Sequence, residues 1–179
     1  MLAKPVRRFE FVLGKYLGAL IILGVIVAVM TGVLVLVLVL QDKIVHDLPD
    51  SAFNPNLGPV LFAAAMNYCA LAVLTGLIIL ISTVASTTMT VVSAFIIWAI
   101  GSGQTFFHDL AERASGASRV LLLVLYTIVP KLENFDFRNE ASNFMSMSYV
   151  SGWHAVLQGI GYTFVVLLVA ALFFNDRQV

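Results

Sequence analysis

Residues Tyr16 to Leu40 read YLGALIILGVIVAVMTGVLVLVLVL, a run without a single charged side chain. At about 1.5 Å of helical rise per residue it crosses a hydrocarbon core of about 30 Å with room for tilt. The alternating Val and Leu of residues 33–40 suit a strand, but a lone strand in lipid leaves its backbone polar groups unpaired, whereas a helix pairs them internally. The basic start, Met1 to Lys15, resembles a secretory leader, yet the apolar run is too long for a signal core and no convincing small-residue cleavage site precedes Asp42. We read a retained transmembrane helix.

The rest of the chain repeats that composition. Of the 179 residues, 60% are hydrophobic and only 11% charged, with formal net charge +0, and the mean hydropathy is +0.98; soluble domains lie well below this. The balance favours neither nucleic acid nor an acidic substrate as partner. The segment 41–59 collects Asp42, Lys43, His46, Asp47, Pro49, Asp50, Pro55 and Pro59, the density of charge and helix breakers that marks a loop. Residues 57–107 again lack Lys, Arg, Asp and Glu. They must fold back once, and the Ser/Thr-rich stretch Ser82 to Thr90 is the expected place, which gives spans near 60–81 and 91–107. A last span is expected over 153–174, with Trp153, His154 and Tyr162 towards one end and Phe173 and Phe174 at the other. The apolar decade 120–129 is too short to cross and reads as a re-entrant or interfacial helix.

The expected fold is therefore all-α: a polytopic helical membrane protein of about four transmembrane helices plus that short helix, in a single domain over residues 1–179. Lys4, Arg7, Arg8 and Lys15 precede the first span, while the loop after it holds one lysine against three aspartates. The positive-inside rule then places both termini in the cytoplasm, and the chain is expected in the cell (inner) membrane.

Candidate chemistry is sparse. Gly14-Lys15 is followed by Tyr16 and lacks the glycine-rich approach that cradles phosphate, so the chain is not expected to hydrolyse ATP unaided. His46, His108 and His154 are far apart, without a second His or Cys at i+3 or i+4, and suit an interface better than a metal. His108, Asp109 and Glu112 share a helix face and allow a proton relay, but at a span end rather than at mid-bilayer depth. Cys69, the sole cysteine, reads as a small apolar residue. Gly14 and Gly18 form a Gly-x-x-x-Gly pair suited to packing within the bundle. The hydroxyls between Ser82 and Ser93 line either a polar path or, better, a turn whose carbonyls they satisfy. Clustered His, Asp or Glu at bilayer depth, which a membrane-embedded enzyme needs, is missing from the predicted spans.

Two segments carry a family resemblance. Leu2-Ala3-Lys4-Pro5-Val6-Arg7-Arg8-Phe9-Glu10-Phe11-Val12-Leu13-Gly14-Lys15-Tyr16-Leu17-Gly18 resembles the cytoplasmic stretch between the second and third spans of type 2 ATP-binding-cassette exporter permeases. Tyr126 to Phe137, with Pro130, Leu132, Glu133, Asn134 and Phe135, is similar to the segment before the final span in one branch of these permeases. The resemblance implies spans three to six of that family, with its first two spans missing. It further implies an ATPase-coupling segment at Lys4, Pro5, Arg7, Arg8, Phe9 and Glu10, and an outer-loop motif at Pro130 to Phe135. Its partners would be a separate ATPase subunit carrying ATP and magnesium, a second permease subunit in a homo- or heterodimer, and the bilayer, with no cofactor on this chain. The charges and aromatics of the first segment suit a polar groove with apolar seats, and they equally suit anionic headgroups. The rival expectation is a non-transporting scaffold or assembly factor derived from a truncated permease.

Overall fold

The computed structural model describes residues 8–46, 57–103, 110, 130–138, 141 and 149–176, and among them every regular element is helical. Helix α1 is Arg8–His46, α2 is Leu57–Val84, α3 is Thr87–Ser102, and α4 is Tyr149–Asp176, with a 3₁₀ turn at Leu132–Phe135 between the last two. Apolar windows long enough to cross a membrane occur in α1, α2 and α4. The Val/Leu run of 33–40 lies inside α1, which continues to His46, beyond the expected end of the span. Its 39 residues make a rod of about 58 Å, so both ends overhang the hydrocarbon core.

The third span departs from expectation. Predicted over 91–107, it is a helix of 16 residues, Thr87–Ser102, and residues 104–107 lie outside the described part, as does the predicted helix over 120–129. The helix starts early because α2 yields to α3 across only Ala85 and Ser86, with Ser86 in extended backbone (φ −68, ψ 161). It stops at Gly103, whose N–H turns back to the Ile100 carbonyl. The hydroxyls around this break bond the carbonyls of the preceding turn: Ser82 to Ile79 at 2.8 Å, Thr83 to Leu80 at 2.6 Å and Thr90 to Ser86 at 2.9 Å. Within lipid such bonds satisfy groups that water cannot reach.

Helix α2 is the centre of the bundle, touching α1, α3, α4 and the 3₁₀ turn. Against α1 it runs antiparallel. The Tyr16 hydroxyl donates to the Ala72 carbonyl (3.3 Å), Tyr68 donates to that of Leu20 (3.1 Å), and the Tyr68 ring lies 3.5 Å from a Cβ built on Gly24. Against α4 it runs parallel, since Met66 meets Gly152, Val73 meets Gly159 and Gly76 meets Thr163. The start of α1 and the ends of α2 and α4 therefore share one end of the bundle, where Val12, Ile79, Leu167 and Ala170 form one core cluster. A second cluster, Met66, Val73, Phe135, Phe137 and Ala155, lies nearer the opposite end. Among the described residues Gly14 and Gly18 take no part in this packing. A Cβ on either meets nothing within 4 Å, so among the described residues the pair is not the intrabundle seam that its spacing suggests.

Candidate functional site

The segment 130–138 carries Lys131, Glu133, Asp136 and Arg138, and hydropathy places it outside the membrane. In the fold it is inserted between α2, α3 and α4 instead, because its apolar residues find holes made by glycines. Leu132 fills the space over Gly101 of α3, its Cδ1 lying 2.7 Å from where a Cβ would stand. Phe135, only 5% exposed, does the same at Gly159 of α4, with Cζ at 2.9 Å, and Val73 of α2 closes the hole at 3.1 Å. Gly159 lies about 15 Å along α4 from Tyr149, so the Phe135 ring reaches well below the helix ends. Phe137 packs edge-on against Phe62 with ring centroids 5.3 Å apart. Irregular backbone at this depth is tolerated where protein encloses it, and the end of the short α3 supplies one wall.

Three of the motif residues, Pro130, Leu132 and Phe135, are buried, whereas Glu133 and Asn134 are exposed. The Asp136 carboxylate accepts from the Arg138 backbone N–H at 3.2 Å and pairs with the Arg138 Nε at 3.4 Å, which closes the segment into a tight turn. Beside it, between α2 and α3, lies a cavity of about 60 Å³ whose polar lining is Asn67, Trp98, Ser102, Glu133, Asp136 and Arg138. A larger, almost wholly apolar cavity of about 270 Å³ is bordered by residues of both core clusters, among them Val73, Phe135 and Leu167, and by Tyr16, Cys69 and Thr163. Cys69 is half-buried on that wall.

At the other end of the bundle, Lys4, Pro5 and Arg7 of the predicted coupling segment lie outside the described residues. Arg8, Phe9 and Glu10 form the first turn of α1, and the Glu10 side chain is exposed. Two residues on, Val12 is only 3% exposed and wedged against α2 and α4. Lys15 donates to the Ser82 hydroxyl at 3.1 Å, which ties the start of α1 to the end of α2. The described part of the coupling segment, the first turn of α1, and the inserted motif are therefore not one site; they lie towards opposite ends of α2.

Asn67, Gly101 and Gly159 escaped the sequence reading. Gly101 belongs to a Gly-x-Gly at a helix end, and Leu132, Phe135 and Phe137 recur as apolar residues among charges, signals that could have marked an insertion. His154 is exposed near the start of α4; His108, Asp109 and Glu112 lie outside the described residues, and no group of His, Cys, Asp or Glu that could hold a metal occurs among the described ones. Trp153 is exposed, whereas Tyr162 packs against the second core cluster.

Compared with known proteins, residues 1–179 match the family model described as ABC-2 family transporter protein. No curated protein and no solved structure gives a significant match.

Proposed function

Because this chain belongs to the ABC-2 family of transporter proteins, a family of membrane permeases that generally partner with an ATPase subunit, we propose that it is the permease subunit of an exporter driven by a separate ATP-binding-cassette ATPase. The observation that carries the reading is the family match over the full 179 residues of an apolar helical chain. ATP and magnesium would be held by the partner. A second permease subunit, identical or related, would complete the pathway, with substrate passing between the two.

The geometry supports a route for coupling. The segment Lys4 to Glu10 leads directly into Val12, which is packed on Ile79, Leu167 and Ala170. A displacement imposed on that segment by a closing ATPase meets α2 and α4 at once instead of being lost in a loose tail. Helix α2 then carries it along its length to Val73, where Phe135 of the inserted motif sits. Basic residues precede α1, and the start of α1 shares its end of the bundle with the ends of α2 and α4. Both features support termini on the cytoplasmic face of the inner membrane, within reach of ATP.

A photo-crosslinking amino acid at position 9 or 10 tests this in native membranes. The reading expects a covalent adduct with a nucleotide-binding subunit, identified by mass spectrometry, and none from a control position such as Val29 on the exposed middle of α1. Adducts with lipid alone at both positions would refute coupling through this segment and would leave the scaffold reading in its place.

A further inference from the structure

Three side chains on the cavity between α2, α3 and the inserted segment, those of Asn67, Trp98 and Arg138, have hydrogen-bonding capacity that the described residues do not use. Asn67 is the one carboxamide of α2, a helix otherwise built of apolar residues, small residues and hydroxyls. Among the described residues neither its amide nor the Trp98 indole N–H has a hydrogen-bond partner. The Arg138 guanidinium meets Asp136 through Nε, which leaves its terminal NH₂ groups available. Asn67 is exposed on α2 beside the cavity, and an amide that meets lipid at such a position is costly unless something pairs with it. Three donor groups on one cavity call for an acceptor-rich anionic group.

A bare anion does not fit, because Glu133 and Asp136 stand on the same lining and repel it. The ligand must carry a positive charge next to its negative one. Position along the bundle suggests where it comes from. Helix α2, at 28 residues, is about 42 Å long and overhangs an apolar core of about 30 Å. The cavity begins at Ala63, about 9 Å from the start of α2, near the level where headgroups meet hydrocarbon, and Leu71 and Leu74 continue the wall in apolar form.

We propose that this cavity binds the zwitterionic headgroup of a bilayer phospholipid, with the phosphate on Arg138, Asn67 and Trp98 and the ammonium on Glu133 and Asp136. The lipid would brace the inserted segment against α2 and α3. The proposal goes beyond the permease reading and does not depend on an ATPase.

The chain has two tryptophans, so Trp153→Phe leaves Trp98 as the sole reporter in the cavity. That protein is placed in nanodiscs of phosphatidylglycerol containing increasing fractions of acyl-brominated phosphatidylethanolamine, and then in the reciprocal mixture. Trp98 quenching should show about a tenfold preference for the ethanolamine headgroup, the scale of one charge-assisted hydrogen bond. Asn67→Leu and Arg138→Gln, both at exposed positions and so compatible with folding, should each bring the ratio close to one. A Trp98→Phe protein reporting from Trp153 should show no preference, and soluble phosphoethanolamine should not displace the lipid. Equal quenching by both headgroups, a preference that survives both substitutions, or the same preference at Trp153 overturns the site. Displacement by soluble phosphoethanolamine overturns its assignment to a lipid. The nanodiscs contain no ATPase, so loss of the headgroup preference speaks against this site alone, and failure to recruit an ATPase speaks against the permease reading alone.

Discussion

Gly159 and Gly161 stand two residues apart on α4, and alanine at the two positions should have opposite consequences. Both changes bring the same gain in helix propensity over glycine, about 0.5–1 kcal/mol. A methyl at Gly161 meets nothing within 4 Å, so Gly161→Ala should keep that gain. A methyl at Gly159 would stand 2.9 Å from Phe135 Cζ and 3.1 Å from Val73 Cγ2. Carbon atoms prefer about 3.5–4.0 Å, so a ring that is itself buried must shift. Overpacking of this kind costs about 1–3 kcal/mol. The propensity contribution cancels in the comparison, and Gly159→Ala should therefore be less stable than Gly161→Ala by about 1–3 kcal/mol. At about 2–4 °C per kcal/mol for a chain of this size, the unfolding midpoints in detergent should separate by several degrees. Thermal unfolding followed by circular dichroism and by tryptophan emission reads the difference. Equal midpoints, or a more stable Gly159→Ala protein, would mean that Phe135 does not occupy the hole at Gly159 and that the motif lies outside the bundle.

Other perturbations probe the remaining contacts. Phe135→Ala joins the inserted segment's hole to the apolar cavity beside it and should destabilise the protein by about 3–5 kcal/mol in the same unfolding assay. Tyr68→Phe removes the hydroxyl that donates to the Leu20 carbonyl; that oxygen belongs to a helical residue, so the cost should stay at the low end of about 0.5–1.5 kcal/mol. Lys15→Met loses one exposed bond to Ser82 and should change the unfolding midpoint by no more than about 0.5 kcal/mol allows.

Much of the architecture is legible in the sequence because the bilayer leaves so few choices. A charge-free run such as Tyr16–Leu40 has to be a helix whatever its β-propensity, and the hydroxyls from Ser82 to Thr90 announce a turn that must satisfy its own carbonyls. What lies beyond a one-dimensional reading is how side chains distant in sequence meet. Hydropathy puts Lys131 to Arg138 outside the membrane because it averages over four charges, whereas the position of the segment is set by two apolar knobs and by glycines in α3 and α4. The Gly14 and Gly18 spacing shows the opposite failure: it identifies a smooth face without saying what approaches it, and within the described chain nothing does. Asn67 leaves no mark in the sequence pattern, because one amide scarcely alters the hydropathy of a 28-residue helix. Its meaning appears only when Trp98 and Arg138 are seen on the same cavity.

The central claim, a permease driven by a separate ATPase, is tested most directly by solubilising the tagged chain from its own membranes and assaying what comes with it. The account predicts a co-purifying nucleotide-binding subunit with measurable ATP hydrolysis, recovered with the wild-type chain and lost with the Arg7→Ala/Glu10→Ala double substitution. An intact, folded chain that brings down no ATPase in either form would contradict it.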